Sequence, residues 1–105
     1  MNHVRVEFIR QAAQELDEAY EWYLEHSEAA ASGFLTAVEQ SVRLLADRPE
    51  AWPPFEAGTR RVVVQQYPFS IIFRVHEQTI QIVAVAHHRR RPSYWRRRAS
   101  SPTTR

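Results

Sequence analysis

The chain has 105 residues, 44% of them apolar, enough to bury one core in one domain and too few for a second. It contains no cysteine, which excludes disulfide frameworks and thiolate metal sites and makes a reducing cytoplasm the expected compartment. A formal net charge of +2 conceals a division along the chain: residues 1–57 carry 4 Arg against 11 Asp or Glu, and residues 58–105 carry 10 Arg against 1 Glu.

The basic half is where an anionic partner is expected to bind. All 14 basic residues are Arg. Its planar fork suits phosphate and carboxylate, although a GC-rich genome produces the same bias. The apolar runs SIIF and IVAVA are far too short to span a bilayer, and MNHVRVEFIR carries charges where a signal peptide needs a hydrophobic stretch. No membrane association is expected.

The first element is VRVEF, whose alternation puts Val4, Val6 and Phe8 on one side and Arg5 and Glu7 on the other, as in a half-buried strand. From Gln11 the period changes. Ala12, Leu16, Ala19, Tyr20, Tyr23 and Leu24 recur at three and four, which predicts an amphipathic helix ending near His26. Ser27 is placed to cap a second helix with the stripe Phe34, Leu35, Val38, Val42 and Leu45, stopped by Pro49. The short connection makes the two a helical hairpin.

After the turn-rich RPEAWPPFEAGT the period returns to two. RRVVVQQ, FSIIFRV and TIQIVAVAH read as three strands joined by hairpins, with Phe69, Ile71, Phe73 and Val75 on one face and Ile80 and Ile82 aligned on the next strand. The expected fold is α+β, β-α-α-β-β-β, with the helical hairpin packed on one face of an antiparallel sheet. Residues 1–98 form the single domain, and 99–105, ASSPTTR, read as a disordered tail.

The chemistry concentrates in AVAHHRRRPSYWRRR, residues 84–98. His87 and His88 follow alternate faces of the last strand, one toward the core or an interface and one toward solvent. They lie beside like charge with no adjacent carboxylate, which opposes a metal site. Tyr94 and Trp95 suit anchors that fold the tail back on the sheet more than a base-stacking platform. Arg60 and Arg61 open the second strand toward opposite faces, so one of them joins a given site. On the first helix Glu15, Glu18, Glu21 and Glu25 read as a solvated surface, and Trp22 among them suits partner contact.

Taken together, AAQELDEAYEWYLEHS, FLTAVEQSVRLLADRPEAWP, RRVVVQQYPFSIIFRV and VAVAHHRRRPSYWRRR, in that order over residues 4–98, resemble the RelE/ParE superfamily, toxins of bacterial type II toxin–antitoxin systems. The pattern AVAH.RR.P.YW is similar to the ParE-like branch. The resemblance implies a growth-inhibiting, plasmid-stabilising toxin that binds DNA gyrase, with no cofactor and no metal. It also implies a small, acidic, DNA-binding cognate antitoxin and a toxin–antitoxin hetero-oligomer. The target-binding residues it implies are Arg61, Arg89, Arg90, Arg91, Tyr94 and Trp95. The antitoxin-binding residues are Trp22, Tyr23, Trp52 and Phe55.

The alternative within the superfamily is a RelE-type, metal-independent, ribosome-dependent mRNA endoribonuclease using Arg61, His88, Arg89 and Tyr94. Such a site needs a base for the ribose 2′-hydroxyl, cations for the phosphorane and an acid for the leaving oxygen. Where RelE and YoeB carry an arginine after the aromatic that opens the third strand, this chain has Ser70, and a hydroxyl supplies no cationic fork. A plain basic nucleic-acid-binding domain, or an inactive toxin, is the further alternative.

Overall fold

The computed structural model describes residues 4–100. Strand β1 (Arg5–Phe8) leads into helices α1 (Arg10–His26) and α2 (Glu28–Asp47). Two short 3-10 turns, Pro49–Ala51 and Glu56–Gly58, then precede strands β2 (Arg60–Val63), β3 (Phe69–His76) and β4 (Thr79–His87). A short helix α3 (Arg96–Ser100) closes the order. The order is the one expected from the periodicity, with α3 added.

The helix boundaries follow from local chemistry. Ser27, in extended conformation between the helices, accepts a hydrogen bond from the Ala30 N–H at 3.1 Å and caps α2. The second helix ends at Asp47, just before Arg48-Pro49. Inside α2, Gly33 faces the phenol of Tyr67, which donates to the Ala30 carbonyl at 3.1 Å. A Cβ at Gly33 would lie 2.5 Å from that phenol oxygen, so close approach requires glycine there.

The sheet order is β1-β4-β3-β2. Strands β2, β3 and β4 form the expected antiparallel meander, but β1 runs parallel to β4, pairing Phe8 with Ile82. The sheet is therefore mixed, a correction to the all-antiparallel expectation. Alternation in VRVEF fixes which side chains face the core and says nothing about the direction of the neighbouring strand.

One face of the sheet carries Phe69, Ile71, Phe73, Ile80, Ile82 and Val85 under the helices, packed with Ala12, Ala19, Phe34, Val38 and Leu45. Expected stripe members Leu24 and Val75 are exposed instead. The register between β3 and β4 slips, Ile72 pairing with Ala84 and Phe73 with Ile82, so Val83 is an extra residue. This bulge reverses the parity of β4: Ile80 and Ile82 face the helices before it, and Val85 does so after it.

The opposite face is covered too, by the segment whose Tyr94 and Trp95 are read from the sequence as anchors folding back on the sheet. Ile72, Val83, Ala84 and Ala86 pack against Trp95 and Ala99, contributed by the segment after β4. Trp95 is 3% exposed. The alanines leave the volume that its indole fills. Ala99 and Ser100, expected in the tail, belong to α3, and Ala99 is buried. Apolar area under the arginine run drives that folding. The rest of the expected tail, 101–105, lies outside the described residues.

Candidate functional site

Strand β1 ends at Phe8, and its last link to β4 is the Ile9 N–H to the Ile82 carbonyl at 3.0 Å. Beyond Ile82 that edge of β4 needs other partners, because buried backbone groups left unpaired are costly. Glu15, on α1, supplies one: its Oε1 accepts from the Val85 N–H at 3.0 Å. Arg98, on α3, supplies another by donating to the Val83 carbonyl at 3.2 Å.

The second oxygen of Glu15 gathers the basic segment. Its Oε2 accepts from the Tyr94 hydroxyl at 2.6 Å and from Arg98 Nη2 at 3.0 Å, and Arg90 Nη1 stands 3.8 Å away. The Arg90 guanidinium lies 3.8 Å over the Tyr94 ring and that of Arg98 5.1 Å from it, so the ring is held between two cations. The Glu15 and Arg98 side chains are only 11% and 17% exposed, so their attraction is weakly screened. Burial first, then the hydrogen bond and charge of Glu15, push the Tyr94 phenol well above its usual range. Tyr94 is thereby fixed as a neutral donor.

A second carboxylate pins the other side of the segment. Glu56, in the 3-10 turn before β2, accepts from the Ser93 hydroxyl and pairs with Arg96 at 3.5 Å. Ser93 adopts φ 65°, which turns the chain so that Trp95 enters the sheet face. Arg74 of β3 donates to the Ala99 carbonyl and holds Gln81 Oε1 at 2.8 Å. The run 88–100 is thus an ordered arm.

Sorting the arginines by partner gives the surface its character. Arg90, Arg96 and Arg98 are tied to carboxylates. Arg89 and Arg91 are exposed and pair with no carboxylate among the described residues. Arg61 is exposed on β2, with its guanidinium 4.6 Å from the centre of the Phe55 ring.

Two clefts flank the histidines at the end of β4. One, of about 760 Å³, lies against α1 and is lined by Glu15, Trp22, Tyr23, Phe69, Val85, His87, His88, Arg89 and Arg90. The other, of about 380 Å³, lies under the arm and is lined by Phe55, Arg61, Ser70, His87, His88, Arg91 and Tyr94. His87 packs edge-on against Phe69 at 4.9 Å, and its Nδ1 accepts from the Arg89 N–H at 2.9 Å. Burial, then the charges of Arg89 and His88, lower its pKa and favour the neutral ring. His88 Nε2 is 2.9 Å from the hydroxyl of buried Ser70.

The four residues of the nuclease alternative are divided between two clefts, both bordered by His88. Arg61, His88 and Tyr94 line the smaller cleft, whereas Arg89 lines the larger one. The Tyr94 hydroxyl is given to Glu15, and His88 is engaged with Ser70. Among the described residues no three His, Cys, Asp or Glu side chains gather as a metal site, and no helix is long and apolar enough to cross a membrane.

The aromatic candidates differ in what they present. Trp22 is 56% exposed and stacks on His26 with ring centres 4.1 Å apart. Tyr23 is half-buried among Phe34, Tyr67 and Phe69, and Phe55 is covered by Arg61 and Trp95. Trp52 borders a third cleft, between α2 and the edge strand β2, with Leu44 59% and Val63 54% exposed beside it. The Trp52 Nε1 is buried without an acceptor among the described residues.

Sequence reasoning missed Glu15, Glu56, Leu44 and Val63. For Glu15 a signal existed. Ala12, Glu15 and Ala19 are spaced by three and four, so this glutamate shares a stripe with two residues that the helix buries. A carboxylate there needs a cationic partner, and the basic half of the chain provides it.

A helical hairpin on a mixed sheet, with an arginine-rich arm packed across the other sheet face, defines a small α+β protein. The family model described as the ParE toxin of type II toxin-antitoxin system, parDE, matches residues 6–92, and the chain belongs to that family. It is similar to a solved structure titled as the chromosomal ParDE TA system from P. aeruginosa, at TM-score 0.71 and 26% identity over 80% of this chain and 95% of that one. A comparison with curated proteins gives no match.

Proposed function

We propose that this chain arrests growth by binding a macromolecular target through its arginine arm, that the target is DNA gyrase, and that a cognate antitoxin neutralises it. The observation that carries the reading is the division of the arginines. Arg90, Arg96 and Arg98 hold the arm, which leaves Arg89 and Arg91 exposed on it with no carboxylate partner among the described residues. Rigid display of charge favours recognition, because little side-chain and loop entropy is lost on docking. Membership of the ParE toxin family supports the target class.

Cleavage of RNA is the weaker reading for a chemical reason. Ser70 stands where a phosphate-stabilising cation is needed, and the candidate acid, Tyr94, is held protonated by Glu15 and burial. The groove between α2 and β2, with exposed Leu44 and Val63 and the unsatisfied Trp52 Nε1, suits an antitoxin segment that brings apolar side chains and a carbonyl. Exposed Trp22 on α1 is a further contact for it.

Two assays on purified protein separate the readings. Supercoiling by gyrase is expected to fall as the chain is added, and mRNA in a translating extract is expected to stay intact. Codon-dependent cleavage that His88→Ala abolishes, a loss of roughly 10²–10⁴ in rate for a general acid–base group, would assign the chain to the nuclease reading instead.

A further inference from the structure

We infer that Glu15 is the positioning residue of the target-binding surface: this one carboxylate of α1 sets the arm's conformation and thereby the placement of Arg89 and Arg91. The inference rests on the arm being the target-facing surface.

Among the described residues Glu15 is a carboxylate that bridges β4 and the arm. Its two oxygens serve β4, through the Val85 N–H, and the arm, through Tyr94, Arg98 and Arg90. Arg90 lies between Arg89 and Arg91, so whatever holds its guanidinium over the Tyr94 ring also fixes the backbone that carries its two neighbours. Glu56 meets Ser93 and Arg96, farther along the arm. With Glu15 neutral, Arg90 and Arg98 lose their common counter-ion and are left beside each other on one phenol ring. Like charges so placed repel, and the arm is driven outward from the β4 edge.

Glu15→Gln tests this with little change of shape, because the amide oxygen still accepts from Tyr94 or Val85 while the charge is gone. Growth arrest at matched expression is expected to weaken by at least about tenfold, the scale of one lost charge-assisted contact. The full chain is still expected to fold by circular dichroism and to copurify with its antitoxin. Trypsin is expected to cut after Arg90 and Arg98 about tenfold faster, which corresponds to a shift of about 1.4 kcal/mol toward the open arm. The Tyr94 phenol, followed by ultraviolet titration against a Tyr94→Phe control, is expected to titrate lower than in the parent. Glu15→Asp, which keeps the charge, is expected to recover part of both protease resistance and arrest.

A Glu15→Gln protein with a protease-labile arm and undiminished arrest would overturn the inference, because positioning would then not matter. Lost arrest with an arm as protected as in the parent would overturn it equally, because Glu15 would then act by direct contact. If replacing Arg89, Arg90 and Arg91 together abolishes arrest while Glu15→Gln does not, only the role of Glu15 fails. If the triple replacement leaves arrest intact, the reading of the arm fails and this inference with it.

Discussion

Replacing Trp95 with alanine perturbs the arm at its apolar anchor. The indole is 3% exposed and packs against Ile72, Val83, Ala84, Ala86 and Ala99, with the Phe55 ring centre 5.8 Å away. Its alanine neighbours are too short to collapse into the space left behind, so the cavity term adds to the lost transfer energy, about 3–5 kcal/mol for a tryptophan. A domain of this size has about 5–15 kcal/mol in total. At about 4 °C or more per kcal/mol, the Tm is expected to drop by at least about 12 °C. Urea unfolding followed by circular dichroism measures the loss. The midpoint is expected to fall with an unchanged slope if the rest of the fold persists. Trp22→Ala, at an exposed ring, is expected to change stability by no more than about 0.5 kcal/mol. A Trp95→Ala loss below about 1 kcal/mol would refute the packed arm, because a cavity left by a truly buried indole costs more.

Three further outcomes are expected. Tyr94→Phe removes the hydrogen bond to Glu15 and is expected to cost about 1 kcal/mol at neutral pH. Because the folded-state pKa of Tyr94 lies above the unfolded value of about 10, its contribution is complete below that pH and is lost as pH rises through the folded value. Urea midpoints measured from pH 9 upward are therefore expected to decline less steeply in Tyr94→Phe. Ser27→Ala, which leaves the Ala30 N–H uncapped, is expected to cost about 1 kcal/mol by thermal melting. Gly33→Ala is expected to lower the Tm although alanine favours a helix by about 1 kcal/mol, because the new methyl displaces the Tyr67 phenol. A rise in Tm would show that Tyr67 can move freely.

Period and capping were legible wherever the signal was local. The stripe from Ala12 to Tyr23, the cap at Ser27 and the alternation in FSIIFRV each specify conformation from neighbours in sequence. What depended on distant pairing was not. The parallel direction of β1 is decided by where β4 arrives, and the extra residue at Val83 is invisible in a run of apolar residues that reads correctly in either parity. Trp95 read as an anchor of the arm because an indole carries large apolar area, but Ala99 read as part of the tail, since its burial depends on the arm meeting a row of alanines on β4. Glu15 looked like one of four solvated glutamates, and its partners lie 70 to 83 residues away. The histidine pair read as one ring toward the core or an interface and one toward solvent, whereas the contacts of His87 with Phe69 and of His88 with Ser70 follow from the β3–β4 register.

The central claim is that Arg89 and Arg91 of the ordered arm are what the target meets. It is tested most directly by inducing the Arg89→Ala, Arg91→Ala double variant in cells and following growth beside the parent chain, with soluble yield and antitoxin copurification as controls for folding. Exposed arginines contribute little to stability, about 0–1 kcal/mol each, so the variant is expected to remain folded and to copurify. Growth is expected to continue unimpaired. Full arrest by a folded double variant would contradict the account and move the active surface to the helical hairpin.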